Sequence, residues 1–308
     1  MPADTLILLR THYLDAAVQR FIDALRAGTG LEVVIAADEG WSRLDPGPST
    51  RKVVLSAERY RELGLHCTPD VMWRCGDYAL YAAMAELGPA SQIWMIEPDV
   101  RIHAGAIAEF FGFFAAHPDV DFLSCGYAAV NANWGWYPAM APHAAAVFKC
   151  LFPLTRMSGR AMAFLLEQRR ALSQVPAAEA FWPNDEAFCA TELTNAGFHC
   201  RDVNSFGRVF YTDESFSFFN AVALSRFETL PRDGLIHHPV LAGARFRGKL
   251  LSRMLEARGA GLPAAQLAAL FGPALMADLE AECGAESAAQ FAADTGLAAP
   301  PDPGLSRG

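Results

Sequence analysis

The 308-residue sequence has no C-x-x-C pair, no long apolar run and no excess of basic charge. Each absence removes a class of function. The seven cysteines (Cys67, Cys75, Cys125, Cys150, Cys189, Cys200 and Cys283) are odd in number and scattered. That excludes a disulfide framework and paired-thiolate zinc sites, and points to reduced thiols. No uninterrupted apolar stretch reaches the roughly 18 residues that suggest a membrane span. The chain enters the apolar run Thr5–Leu9 with no basic segment and signal core before it, so the expected location is cytoplasmic. A net charge of −9 excludes a general nucleic-acid binder, whose footprint is basic. There is no G-x-S-x-G elbow and no P-loop, which argues against a common serine hydrolase and a P-loop nucleotide enzyme. Gly28-Thr29-Gly30 follows a helical segment instead of joining a strand to one, so it is no dinucleotide fingerprint.

What remains is an ordinary globular composition, 52% hydrophobic and 19% charged, on a chain long enough for a full core. Apolar runs at Leu6–Leu9, Glu32–Ala37, Val53–Leu55 and Ile93–Ile96 alternate with helical patterns at Asp15–Ala27 and Val71–Leu87. Such alternation predicts an α/β fold with a mixed, mainly parallel sheet flanked by helices. Further strands are expected at Val120–Ser124 and Lys149–Thr155. Further helices are expected near 105–116, over Ser158–Leu172 and up to Gly197. Residues 262–296 read as a helical tail, and the last ten residues as a frayed end.

The most informative segment is Ile93-Trp94-Met95-Ile96-Glu97-Pro98-Asp99. A buried strand stops at two carboxylates, because Pro98 cannot donate a ladder hydrogen bond. In an extended chain Glu97 and Asp99 point to one side, about 7 Å apart. Ligands bind at the carboxyl ends of strands in open α/β sheets. Two acids there suit Mg²⁺ or Mn²⁺, which in turn holds a diphosphate.

Three other groups join this one. Asp185 and Glu186 open a helix capped by Asn184; acids are at home there, and one at a pocket wall also suits a general base. In Ile236-His237-His238-Pro239, one imidazole would complete a metal shell with Asp99. Downstream, Arg245, Arg247, Lys249, Arg253 and Arg258 face a single acid, Glu256; they suit a diphosphate or peripheral contact with an anionic membrane. Arg74 and Asp77, near a helix start, and Arg10, Thr11 and Asp38, at strand ends, are candidate nucleotide contacts. Trp134, Trp136 and Tyr137 offer aromatic faces to an acceptor sugar.

Taken in order, these features resemble the GT-A family of nucleotide-sugar-dependent glycosyltransferases. Glu97-Pro98-Asp99 stands where that family carries its D-x-D motif, with Glu in place of the first Asp. Asp185-Glu186 matches its acidic pair on the acceptor side, and His238-Pro239-Val240 its late His-Pro-Val. The resemblance implies a GT-A-like (Rossmann-like) catalytic domain over 1–260. Its nucleotide-binding half would be 1–105 and its acceptor half 106–260, with a helical extension over 261–308. It implies Asp99 and His238 as ligands to Mn²⁺ or Mg²⁺, and Asp185 or Glu186 as base. The partners would be a nucleotide-sugar donor and a carbohydrate or other hydroxyl acceptor. In the family a lysine often follows the His-Pro-Val; here Leu241 stands there, which shifts phosphate binding to Arg245, Arg247 or Lys249. Two other classes share parts of this pattern: a nucleotidyltransferase and a non-catalytic carbohydrate-binding protein. The former ordinarily carries a glycine-rich loop after its first strand, where this chain reads Arg10-Thr-His-Tyr-Leu14.

Overall fold

The structure is a computed structural model that describes residues 4–176, 181–263, 266–267 and 270–295. The last ten residues, expected to fray, lie outside the described residues. The chain packs as two compact units: residues 1–212 with 234–236, and residues 213–233 with 237–308.

The first unit is built on a seven-stranded sheet. Its strands are β1 (Thr5–Thr11), β2 (Glu32–Asp38), β3 (Lys52–Leu55), β4 (Gln92–Ile96), β6 (Phe122–Ala129), β7 (Phe148–Ser158) and β8 (Cys200–Asp202), with the two-residue β5 (Arg101–Ile102) outside it. The order is β3-β2-β1-β4-β7-β6-β8. β7 runs antiparallel to both its neighbours; every other pairing in the sheet is parallel. The expected mixed, mainly parallel sheet is therefore present.

Helices cover both faces, as strands buried on both sides require. They are α1 (Ala16–Thr29), α2 (Ala57–Glu62), α3 (Val71–Arg74), α4 (Asp77–Leu87), α5 (Ala104–Ala115), α6 (Tyr137–Met140), α7 (Gly159–Leu172) and α8 (Asp185–Asn195). The period-2 alternation of β4 distributes its side chains. Ile93 and Met95 join the core formed with α4, α7 and α8. Trp94 turns to the other face, its ring 4.9 Å from Phe111 and 5.5 Å from Phe110 of α5. The Gly28 and Gly30 pair has a packing explanation. A Cβ on Gly28 would stand 2.7 Å from Ile107 of α5, so glycine lets α1 approach α5. Gly30 caps α1 in the left-handed region at φ 65°.

The pattern over Val71–Leu87 suggests one long helix; the structure breaks it at Cys75-Gly76 into α3 and α4. In a continuous helix the Gly76 N–H would bond the Met72 carbonyl. Here the Gly76 N–H goes to Asp185 Oδ2 at 2.8 Å, and the Met72 carbonyl accepts from Arg10 Nη1 at 3.1 Å. Two tertiary bonds replace one helical bond.

The second unit has its own core of Phe246, Leu250, Met254, Phe271, Leu279 and Phe291. It is carried by α9 (Leu224–Thr229), α10 (Gly243–Gly259), α11 (Pro273–Cys283) and α12 (Ala285–Thr295). The short strands Val222–Ala223 and Val240–Leu241 pair in parallel beside them. The tail is thus helical where described. Among the described residues no helix is long and apolar enough to cross a membrane.

A wholly buried ion pair locks α4 to α7. Arg169 Nε and Nη2 reach the Asp77 carboxylate at 2.7 and 3.1 Å, and both side chains are fully shielded from solvent. Tyr81 donates to the same carboxylate at 3.0 Å. Removing one partner strands the other charge in the core, so Asp77→Asn should cost about 3–5 kcal/mol. Urea unfolding of Asp77→Asn, and of Asp77→Asn with Arg169→Met, measures this. The double variant should recover much of the loss, since it buries no charge.

Candidate active site at the carboxyl edge of the sheet

β2 lies on one side of β1 and β4 on the other, so the chain order reverses between β1 and β4. In open α/β sheets the crevice at such a reversal, beyond the carboxyl ends, is where ligands bind. Leu9 of β1 is in register with Ile96 of β4. The next residues, Arg10 and Glu97, therefore emerge side by side, and the Arg10 guanidinium pairs with the Glu97 carboxylate.

The turn after β4 is held from below. Glu97 N donates to the Pro153 carbonyl at 2.8 Å. Arg101, 6% exposed, donates through Nη1 to the carbonyls of Pro98 and Val100, at 2.5 and 2.7 Å. Carboxylate oxygens of Glu97 and Asp99 come within 4.8 Å of each other. Oxygen ligands stand about 2.0–2.6 Å from Mg²⁺ or Ca²⁺, so both acids are within reach of one cation. The residues fit a hard divalent ion, with Arg10 competing for one oxygen of Glu97.

At the start of α8, Asn184 Oδ1 accepts from Ala187 N at 3.0 Å, the expected cap. Acids that only complement a helix dipole stay in water. Asp185 and Glu186 are 6% and 8% exposed. Asp185 accepts from Gly76 N and Glu186 N, each at 2.8 Å. Glu186 accepts from Phe152 N and Asn184 Nδ2, each at 3.3 Å. Burial pushes the Asp185 pKa up to about 7, Arg10 working against the shift and Asp77 with it. Burial, and then Asp185, push Glu186 well above the carboxylate range. Burial also opposes the Arg10 charge, but Glu97 and Asp185 outweigh it and raise its pKa. One guanidinium thus stands among the acids of the strand end and of the helix start. A Cβ on Gly76 would fall 2.6 Å from Asp185 Oδ2 and 2.9 Å from Arg10 Nη1, so only glycine fits where they converge.

The structure gives other candidates local duties. Asp77, expected near a nucleotide, is sealed in the core against Arg169; that expectation is corrected by its burial. Arg74 grips Asp70 and donates to the Trp182 carbonyl at 3.1 Å. Thr11 Oγ1 turns the chain after β1 by donating to the Tyr13 carbonyl at 2.6 Å. Asp38 accepts from Gly40 N at 3.0 Å at the end of β2.

In the second unit, His238 is 4% exposed and its Nδ1 lies 2.9 Å from the Ser217 carbonyl. A carbonyl only accepts, so Nδ1 carries the proton and Nε2 the lone pair. His237 packs edge-on against Phe227 at 5.3 Å. On α10, Arg247 reaches Asp294 at 3.3 Å and Arg253 lies 5.9 Å over Phe271. Arg245 and Lys249, one turn apart, share a face. Sequence reasoning passed over Gly76 and Arg169; neither belongs to a motif, and only long-range contacts single them out.

No family model and no curated protein matches the sequence. Solved structures do match. One is a mannosyltransferase from Pyrobaculum calidifontis in complex with GDP-Man and Mn²⁺, at 15% identity and TM-score 0.37, over 96% of this chain and 75% of that one. Another is a glycosyltransferase involved in glycosylation of the major capsid of PBCV-1, at 10% identity and TM-score 0.37, over 76% and 91%. A third is a CMP:2-keto-3-deoxy-manno-octonic acid synthetase complexed with CTP, at 12% identity and TM-score 0.34, over 65% and 89%. Function has to be argued from the site itself.

The raised pKa values set a pH dependence of stability. A carboxyl whose folded pKa exceeds its unfolded value binds more protons in the native state, so stability falls as pH rises between the two. For Asp185 that window runs from the ordinary 3.8 to about 7. Melting temperature should decline across it, and Asp185→Asn should flatten part of the decline. An unchanged slope in the variant would place the titration elsewhere.

Proposed function

We propose that this protein is a GT-A-like glycosyltransferase. It moves a sugar from a nucleoside diphosphate sugar to an acceptor hydroxyl with the help of a divalent cation. The observation that carries this reading is the meeting, through Arg10, of a strand-end acid pair with a buried carboxyl that titrates near neutrality. A metal-type acid pair alone suits many folds. A poised base beside it suits transfer to a hydroxyl.

In this reading Asp99 and Glu97 would hold Mn²⁺ or Mg²⁺, and His238 is the imidazole that the resemblance to the family assigns to the metal. When bound, the cation neutralises charge on the leaving diphosphate. Arg245, Arg247 or Lys249, the basic residues that follow His238-Pro239-Val240, would bind phosphate oxygens. Asp185 takes the proton of the acceptor hydroxyl. Glu186, whose pKa burial and then Asp185 raise well above the carboxylate range, fixes the loop at Phe152.

Asp99→Asn should abolish the Mn²⁺-dependent thermal stabilisation given by a nucleoside diphosphate sugar and leave the metal-free melting temperature unchanged. Retention of that stabilisation would remove the metal assignment. His238→Ala should weaken Mn²⁺ binding more than His237→Ala, measured by calorimetry.

Asp185→Asn should lower turnover by roughly 10²-fold or more, with donor affinity little altered. Wild-type turnover should rise with pH through about 7, the value to which burial brings Asp185. If Glu186→Gln shows the larger loss and Asp185→Asn retains wild-type turnover, the base is Glu186.

A further inference from the structure

Large aromatic rings rarely stand together in water unless they bind something. Trp73 is 68% exposed and Phe181 42% exposed. Both flank Trp136. Trp73 and Trp136 have ring centroids 6.4 Å apart, and Trp136 stacks on Phe181 at 5.9 Å with planes 22° apart. The three rings come from α3, the turn before α6 and the loop before α8. Of the aromatic segment suggested by the sequence, Trp134, Trp136 and Tyr137 are half-buried against the core, and Trp136 also meets Trp73 and Phe181.

The face is braced and has a polar edge. The Arg74 guanidinium lies 5.0 Å from the Trp136 ring centre and binds Asp70 through Nε and Nη2 at 3.0 and 2.7 Å. The Asp70 side chain is 41% exposed. An apolar aromatic plane rimmed by a carboxylate and a guanidinium matches a pyranose, whose C–H face is apolar and whose ring edge carries hydroxyls. A lipid tail would call for an apolar groove without an ion pair at its rim. Arg74 also donates to the Trp182 carbonyl, and that loop continues through Pro183 and Asn184 into Asp185. Phe181 and the proposed base therefore lie on one segment, which Arg74 braces at Trp182.

We propose that Trp73, Trp136 and Phe181 form a stacking subsite for a pyranose ring of the acceptor, which makes the acceptor a saccharide. This rests on the glycosyltransferase reading for its catalytic meaning; saccharide binding itself is measured without it. The full chain, without donor or metal, is titrated with maltotetraose, cellotetraose, mannotetraose and chitotetraose. Tryptophan emission and saturation transfer to sugar C–H protons are recorded. At least one saccharide should bind saturably. Trp73→Ala and Phe181→Ala should each weaken it by about tenfold, the size expected for losing one aromatic contact. Trp73→Phe should retain most of the affinity. Trp41→Ala, which removes a ring 89% exposed in the loop after β2, should change nothing. No binding by any of the four, or equal binding by the alanine variants at positions 73 and 181, overturns the subsite. Ring-dependent binding with no sugar transfer from any donor leaves the subsite standing and removes the enzyme reading.

Discussion

The Arg10 guanidinium is the charge on which the carboxyl edge of the sheet depends. It pairs with Glu97 and offsets the buried Asp185, and its other nitrogen is held by the Met72 carbonyl. That carbonyl is available because the helical pattern breaks at Cys75-Gly76. The same break turns the Gly76 N–H toward Asp185. One missing helical bond thus supplies an acceptor for the cation and a donor for the anion. Without the cation, several acids in one low-dielectric region would stay protonated or drive the loops apart.

A wholly buried charge pair holds the start of α8 as well. Arg169 spans from Asp77 of α4 to the Pro183 carbonyl just ahead of α8, at 2.9 Å. Its guanidinium lies 3.7 Å from the Phe188 ring centre. The start of α8 is therefore tied to α4 and α7 by hydrogen bonds with fixed directions. Apolar packing alone would permit sliding by fractions of an ångström, enough to misplace a catalytic carboxylate. Buried pairs of this kind are poor sources of net stability and good sources of register.

The chemistry proposed here uses each residue for what its surroundings permit. Asp99 lies in a turn whose backbone Arg101 holds by two carbonyls. Burial pushes the Asp185 pKa up to about 7, with Arg10 working against the shift. Arg74, also a candidate nucleotide contact, braces an aromatic surface.

Much of this was legible in the chain alone. The alternation of apolar strands and helical segments predicted the α/β sheet, because period-2 and period-3.6 patterns are local properties. Pro98 between Glu97 and Asp99 predicted the strand end, since proline lacks the ladder donor. Asn184 announced the start of α8 for an equally local reason, its side-chain cap. Tertiary structure decided what no local pattern encodes. Val71–Leu87 reads as one helix, yet it breaks because Arg10 and Asp185, both remote in sequence, compete for its backbone. Asp77 reads as a ligand-facing acid, yet Arg169, 92 residues away, draws it into the core. Asp185 and Glu186 read from the sequence both as helix-start acids and as a candidate base, and their burial is what the sequence pattern does not hold. Burial and long-range charge are sums over neighbours from many segments, and a sequence window contains only one of them.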